Sequence, residues 1–254
     1  MNNTNKTALI TGASRGLGKD MALALARAGK NVVITYATNK QEAEITAFEA
    51  AKYGVKSAVL QLDLNSLNSL NDFIQSLEVC LQNEIGVQRF DYLINNAGMG
   101  DTVPFEKVTE ESFTDFLNVH YKGVYFLTQK CLPLLNDGAG IVNISSGTTR
   151  FSNPGYSVYA SMKGAVEVLT RYMAKELGAR GIRANVVAPG PVETDFNNAA
   201  IRNNPQMKSV LSNLSPLGRV GEASDIGGVV AFLCSDDARW VNGQRLEVSG
   251  GINT

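Results

Sequence analysis

Tyr159 and Lys163 stand four residues apart in "VYASMK", among small residues. On a helix that spacing brings both side chains to one face, about a turn apart. An ammonium so close to a phenol favours the phenolate, so the pair could move a proton if its surroundings asked for it. The spacing alone is cheap. "YATNK" supplies a second copy, Tyr36 and Lys40, but it straddles a strand end and a turn, and its side chains need not share a face. What lies upstream separates the copies: thirteen residues before Tyr159 is Ser146, closing a strand-like "GIVNIS", and thirteen before Tyr36 is Leu23.

A second constellation sits near the start. "LITGASRGLG" places Gly12, Gly16 and Gly18 between an apolar run and a helical one, in G-x-x-x-G-x-G order. Glycines there let the backbone turn sharply and approach a pyrophosphate, and the following helix offers free N–H groups and the positive end of its dipole. At the end of the next strand-like run, "ITYATNK", no acidic residue precedes Glu42. An acid at that point would accept hydrogen bonds from the adenosine ribose and repel a 2′-phosphate. Its absence, with Arg15 in the cradle and Lys40 nearby, favours NADP(H) over NAD(H).

The elements that must position these residues alternate. "TALIT", "NVVITY", "SAVLQL", "DYLIN", "GIVNIS", "RANVVAP" and "QRLEVS" read as strands, apolar nearly throughout, as in strands covered on both faces. Helical segments lie between them: "GLGKDMALALARAG", "QEAEITAFEAAKYG", "LNDFIQSLEVCLQ", "ESFTDFLNVHYKGVYFLTQKCLPLL", "VYASMKGAVEVLTRYMAKELG" and "DIGGVVAFLCS". The pattern predicts one α/β domain over residues 1–254, a three-layer doubly wound Rossmann fold with a seven-stranded, mostly parallel sheet and helices on both faces. "QNEIGVQRFD" reads as a loop. The stretch from Pro189 to about Arg219, rich in Asn and broken by prolines, reads as a mobile substrate lid at about 190–219.

Taken in order, "TGASRGLG", "LDL" at Asp63, "NNAG" at Asn95–Gly98, Asn118, Ser146, "YASMK" and "PGPVET" at Pro189–Thr194 resemble the short-chain dehydrogenase/reductase family over essentially the whole chain. Within it the chain is most similar to the 3-oxoacyl-carrier-protein reductases. The resemblance implies reduction of a carbonyl to a secondary alcohol, with Tyr159 as general acid and Lys163 lowering its pKa and bonding the nicotinamide ribose. It also implies Ser146 holding the substrate oxygen, with Ser145 kept in reserve, and Asn118 holding a water that links Lys163 to solvent. The cofactor would lie on Gly12, Ser14, Arg15, Gly16, Leu17 and Gly18, with Asp63 and Leu64 at the adenine. Asn95, Ala97 and Gly98 would line the adenosine-side ribose, with Asn95 also stabilising the central strands, and Pro189, Gly190, Val192 and Thr194 the nicotinamide carboxamide, near Tyr159 and Lys163. His120 reads as a helix residue with no chemical role. The family also implies a homotetramer and a small carbonyl or acyl thioester substrate, the latter possibly on a carrier protein that Arg150 and Phe151 could greet. An NAD-dependent alcohol or sugar dehydrogenase and a non-catalytic dinucleotide sensor are the alternatives.

Composition excludes other classes. A formal net charge of −1 offers no basic field for nucleic acid or anionic lipid. No apolar run approaches the ~18 residues of a membrane span. The polar start lacks the pattern of a secretory signal. Cys80, Cys131 and Cys234 are far apart and lack C-x-x-C spacing, and His120 is the single histidine, so neither a disulfide framework nor a metal site is expected. Free thiols suit a cytoplasmic protein.

Overall fold

Alternation along β1 (Thr7–Ile10) shows how the layers form. Ala8 and Ile10 enter one apolar cluster and Leu9 the other, because successive strand side chains point to opposite faces. The computed structural model describes residues 5–66 and 69–253. In it β1, β2 (Asn31–Tyr36), β3 (Ser57–Gln61), β4 (Phe90–Asn95), β5 (Leu135–Ile144), β6 (Arg183–Pro189) and β7 (Arg245–Val248) form one sheet in the order 3-2-1-4-5-6-7. Every pairing is parallel, where the sequence suggested only mostly parallel. All seven expected strands are present.

One face is covered by α1 (Gly16–Arg27), α2 (Lys40–Ala51) and α9 (Ser224–Leu233), through Met21, Leu25, Ala43, Ile226 and Val230. The other carries α3 (Leu70–Cys80), α5 (Gly123–Cys131) and α6 (Ser157–Glu176), through Phe73, Leu77, Leu127 and Met173. Connections from β1 and β4, neighbours in the sheet, leave toward opposite faces. A crevice opens between them at the carboxyl ends of the strands, where folds of this kind take their ligands.

Three segments differ from their reading. α3 continues into a π-helical turn, Leu81–Ile85, because buried Leu81 and Ile85 prolong its apolar stripe. Gly86, at φ +83°, ends it, so the first four residues of the expected loop, 82–85, are helical. The long helix expected from Glu111 is interrupted: α4 (Glu110–Leu117) passes through a π-helical turn, Asn118–Lys122, into α5. The lid segment contains two short elements, α7 (Phe196–Asn203) and α8 (Pro205–Leu214). Among the described residues no helix is long and apolar enough to cross a membrane, and no cluster of side chains could hold a metal ion. The three cysteines are buried and unpaired. The first four residues of the polar start lie outside the described part.

Candidate active site

The glycine cradle closes around backbone. Gly12 has φ +63°, a left-handed conformation that favours glycine, and a Cβ there would stand 2.8 Å from the Cα of Ala97. A Cβ on Gly18 would meet Gly12 O, the Asn96 Nδ2 at 2.6 Å and the Ala13 Cα at 2.7 Å. Hydroxyls and an amide tie this turn to its neighbours. Thr35 Oγ1 accepts from Gly12 N–H (3.2 Å), and Thr11 Oγ1 accepts from the N–H groups of Asn96 (3.0 Å) and Ala97 (2.9 Å). Asn96 Nδ2 donates to the carbonyls of Thr11 (2.9 Å) and Gly12 (3.0 Å). Thr46 Oγ1 donates to the carbonyl of Ser14 (3.0 Å), fixing the cradle to α2. Asn96, Thr11 and Thr35 were not singled out in the sequence; their signal was position, beside glycines inside "TG" and "NNAG".

Beyond the cradle, Leu17 packs at the edge of the first core cluster, and Gly16, also at positive φ, faces Thr194 across a cleft of about 280 Å³. Thr194 is buried and accepts from Phe196 N–H. Pro189 ends β6, and Gly190 turns where a Cβ would stand 2.7 Å from that of Ser249. Val192 pairs with Gly221 in an isolated bridge. Asp63 is exposed and accepts from Asn65 N–H (2.9 Å), while Leu64 is buried. Gly98 lies against His120, where a Cβ would stand 2.9 Å from its Cε1.

Asn95 is engaged between the central strands, the second place expected for it. Its side chain turns into the core, donating to Thr128 Oγ1 (3.1 Å) and Asn143 Oδ1 (2.8 Å), so it braces β4 against β5 and α5. Arg15 is exposed at the N-terminus of α1 and has no ion pair among the described residues, whereas Lys40 is paired with Glu44 at 3.5 Å.

The second constellation is assembled by β5 and α6. Ser146 caps a 3-10 turn, its Oγ accepting from Thr148 N–H (3.2 Å) and Thr148 Oγ1 (3.0 Å). With its lone pairs engaged, its own proton is free to be donated, and the Ser146 hydroxyl bonds the phenol of Tyr159. Neighbouring Ser145 donates instead to Glu167 Oε1, at 2.6 Å. Lys163, one turn along α6 from Tyr159, is buried, donates to the carbonyl of Ile144 (2.7 Å), and holds its Nζ 5.6 Å from the Tyr159 ring centre.

Burial governs both titrations. It pushes the Tyr159 phenol up to about 12, with the Ser146 hydrogen bond acting in the opposite sense, and brings the Lys163 ammonium down to about 8. A lowering of Tyr159 that the resemblance assigns to Lys163 together with the positively charged oxidised nicotinamide is not produced by the protein's groups alone. Desolvation of the phenolate outweighs an ammonium that is turned toward a carbonyl.

Asn118 opens the π-helical turn. Its amide donates to Asn65 Oδ1 (3.4 Å), on an exposed edge. The residue that the π-helical turn delivers is His120, fully buried, stacked on Phe116 (5.5 Å between ring centres) and edge-on to Tyr159 (5.2 Å). Gly123 makes the turn possible, since a Cβ there would stand 2.9 Å from the Asn118 carbonyl oxygen. Arg150 is paired with Glu247 (2.7 Å) at the surface, and the ring of Phe151 packs over Gly147.

Residues 12–253 match the model of a family described as enoyl-(acyl carrier protein) reductase. An uncharacterised oxidoreductase of Methylorubrum extorquens is 38% identical over 250 residues, covering 97% of each chain. The chain belongs to the short-chain dehydrogenase/reductase family. The 3-oxoacyl-[acyl-carrier-protein] reductase FabG of Staphylococcus epidermidis is 36% identical, covering 98% of this chain and 99% of its own. Among solved structures, the angucycline C-6 ketoreductase LanV with bound NADP superposes with a TM-score of 0.93 at 37% identity, over 98% of this chain and 96% of its own. As a short-chain dehydrogenase/reductase, the protein is an oxidoreductase that interconverts an alcohol and a carbonyl with a nicotinamide cofactor.

Proposed function

We propose that this short-chain dehydrogenase/reductase reduces a ketone to a secondary alcohol at the expense of NADPH, on the observation that Tyr159, Ser146 and Lys163 converge beside the glycine cradle. The cradle fits a dinucleotide because the glycine turn leads straight into α1, whose N-terminal N–H groups and dipole suit a pyrophosphate, with Arg15 exposed at that end. When bound, the nicotinamide supplies the hydride. Gly12, Ser14, Arg15, Gly16, Leu17 and Gly18 would hold the pyrophosphate end, Asp63, Leu64, Ala97 and Gly98 the adenosine, and Pro189, Gly190, Val192 and Thr194 the carboxamide. Unpaired Arg15 and the absence of an acid at the end of β2 support a 2′-phosphate.

Ser146 donates its hydroxyl proton as a hydrogen bond to the ketone oxygen and stabilises the charge that develops there. Tyr159 gives its phenolic proton to the same oxygen, and the elevated pKa keeps that proton in place at neutral pH. Lys163 stabilises the phenolate left behind and returns a proton to it. Val103, Val108, Phe116 and Val158 line a cavity of about 10 Å³ beside Tyr159, room for about one water, which a bound substrate would have to widen. A 3-oxoacyl thioester agrees with the FabG relatives. A flat aromatic ketone is the second reading, favoured by the rings of Phe116, Tyr156 and Phe196, all 6.0–6.5 Å from that of Tyr159.

The test is NADPH and NADH consumption with a panel of β-ketoacyl thioesters, polycyclic ketones, quinones and sugars. Tyr159→Phe is expected to lose about a hundredfold or more in kcat while still quenching NADPH fluorescence. Parental turnover in a folded Tyr159→Phe protein overturns the mechanism; cofactor binding without turnover across the panel favours a sensor.

A further inference from the structure

The one histidine of the chain is buried where the mechanism above leaves it no task. The ring stands between Phe116 and Tyr159, so its stacking and edge contacts limit how the Tyr159 phenol can swing. Nε2 lies 2.8 Å from the carbonyl oxygen of Met99. Met99 N–H also reaches Nε2, at 3.3 Å. The contact with the carbonyl is the shorter, and a carbonyl can only accept, which assigns the proton to Nε2 and leaves Nδ1 as a bare acceptor. That Nδ1 is buried and has no hydrogen-bond partner. An unpaired buried acceptor is costly enough that it calls for a donor, protein or water.

The donor is close at hand. Lys163 has three N–H bonds, and Ile144 O takes one of them. Its Nζ and the His120 ring both stand beside Tyr159, 5.6 and 5.2 Å from the centre of the Tyr159 ring. Its charge adds to burial, the larger cause, in disfavouring the imidazolium. An acceptor without a donor thus faces an ammonium with donors to spare, and one water can satisfy both.

We infer that His120 is a positioning residue of this active site: its ring fixes Tyr159, and its Nδ1 accepts, through a water, the hydrogen bond that steadies the Lys163 ammonium. The assignment rests on Tyr159 and Lys163 being the proton-transfer pair. It gives the buried imidazole a supporting role beside the water-holding role that the family resemblance implies for Asn118, whose side-chain amide donates to Asn65. The π-helical turn is what makes this possible, because it delivers residue 120 to Tyr159 from a helix that also carries Phe116.

A single histidine makes the test direct. In protein labelled with 15N-histidine, the spectrum should show one imidazole with a protonated Nε2 and a hydrogen-bonded Nδ1, and Lys163→Met should move the Nδ1 resonance. An Nδ1 signal identical in the parental and Lys163→Met proteins, or one typical of an unbonded nitrogen, overturns the assignment. This arm needs no substrate, so it decides the inference even if no ketone is reduced.

Where a ketone is reduced and Tyr159→Phe abolishes it, three variants separate ring from nitrogen. His120→Phe keeps the stacking, His120→Gln can keep a donor to Met99 O, and His120→Asn can keep an acceptor near the place of Nδ1. Phe and Gln are expected to lower kcat about ten- to a hundredfold at unchanged KM for NADPH, with Asn recovering most of the loss. Parental kcat in folded Phe and Gln variants, or equal losses in all three, overturns it.

Discussion

Burial sets Lys163 against its own charge, and the consequence can be read from stability. Its folded pKa of about 8 lies below the ordinary 10.5, so between those values the unfolded chain binds more protons than the folded one. Stability should therefore rise with pH from about 8 toward 10.5, and chemical denaturation across that range should show a rise that Lys163→Met lacks. Tyr159 acts above it: with its folded pKa raised to about 12, it contributes stability that is lost as pH climbs from 10 through 12. At the cradle, Gly18→Ala would drive a methyl into Asn96 and Ala13. The variant should lose NADPH binding by fluorescence titration while the remote core still melts cooperatively. Tyr159, Lys163, Ser146 and the cradle glycines were legible in the sequence because each sits in a short motif with its own local geometry. Asn96, Thr11 and Thr35 were less so, because their hydrogen bonds cross between strands that are distant in the chain.

Among the elements, α7 covers the site under tension. Asn197, Asn198 and Ala199 all have left-handed φ, between +53° and +56°, a conformation that asparagine tolerates and alanine resists. Two contacts hold the segment over Tyr159: Asn197 Nδ2 donates to Tyr156 Oη (3.0 Å) and to Thr102 Oγ1 (3.1 Å), and the Phe196 ring lies against Gly100 and Tyr159. Its base is tied by Arg202 to Asp195 (2.7 Å) and by Lys208 to Glu193. Asn197→Gly keeps the backbone permissible and removes the latch. That variant should be cleaved faster by protease near residues 196–204 and show a raised KM for the ketone, with little change in melting temperature. A lid at about 190–219 could be expected from its prolines and asparagines, but its closing contacts join loops from three separate parts of the chain. The same holds for the π-helical turn at Asn118–Lys122, which a continuous apolar pattern reads as plain helix.

For the whole molecule, several large side chains remain uncovered. Phe113, Tyr125 and Phe126 on α4 and α5, and Val168 and Tyr172 on α6, are each at least 39% exposed. Apolar surface collected on neighbouring helices favours association, in keeping with the expected homotetramer. Light scattering at micromolar concentration should give a mass above that of one 27.2 kDa chain, and a Tyr125→Glu, Tyr172→Glu double variant should lower it. A parental protein that stays monomeric would require those faces to serve another contact.

Sequence alone determined the order of strands and helices, the glycine turn and the pairing of Tyr159 with Lys163, because strand alternation, helical spacing and turn chemistry act over a few residues. Tertiary structure decided which side chains meet. It sent Asn95 into the core, turned Asn118 toward Asn65, tied Arg150 to Glu247, and brought a buried histidine against the tyrosine. Those outcomes depend on packing between β4, β5 and the helices above them, and on a single widened helical turn that changes which residue faces inward.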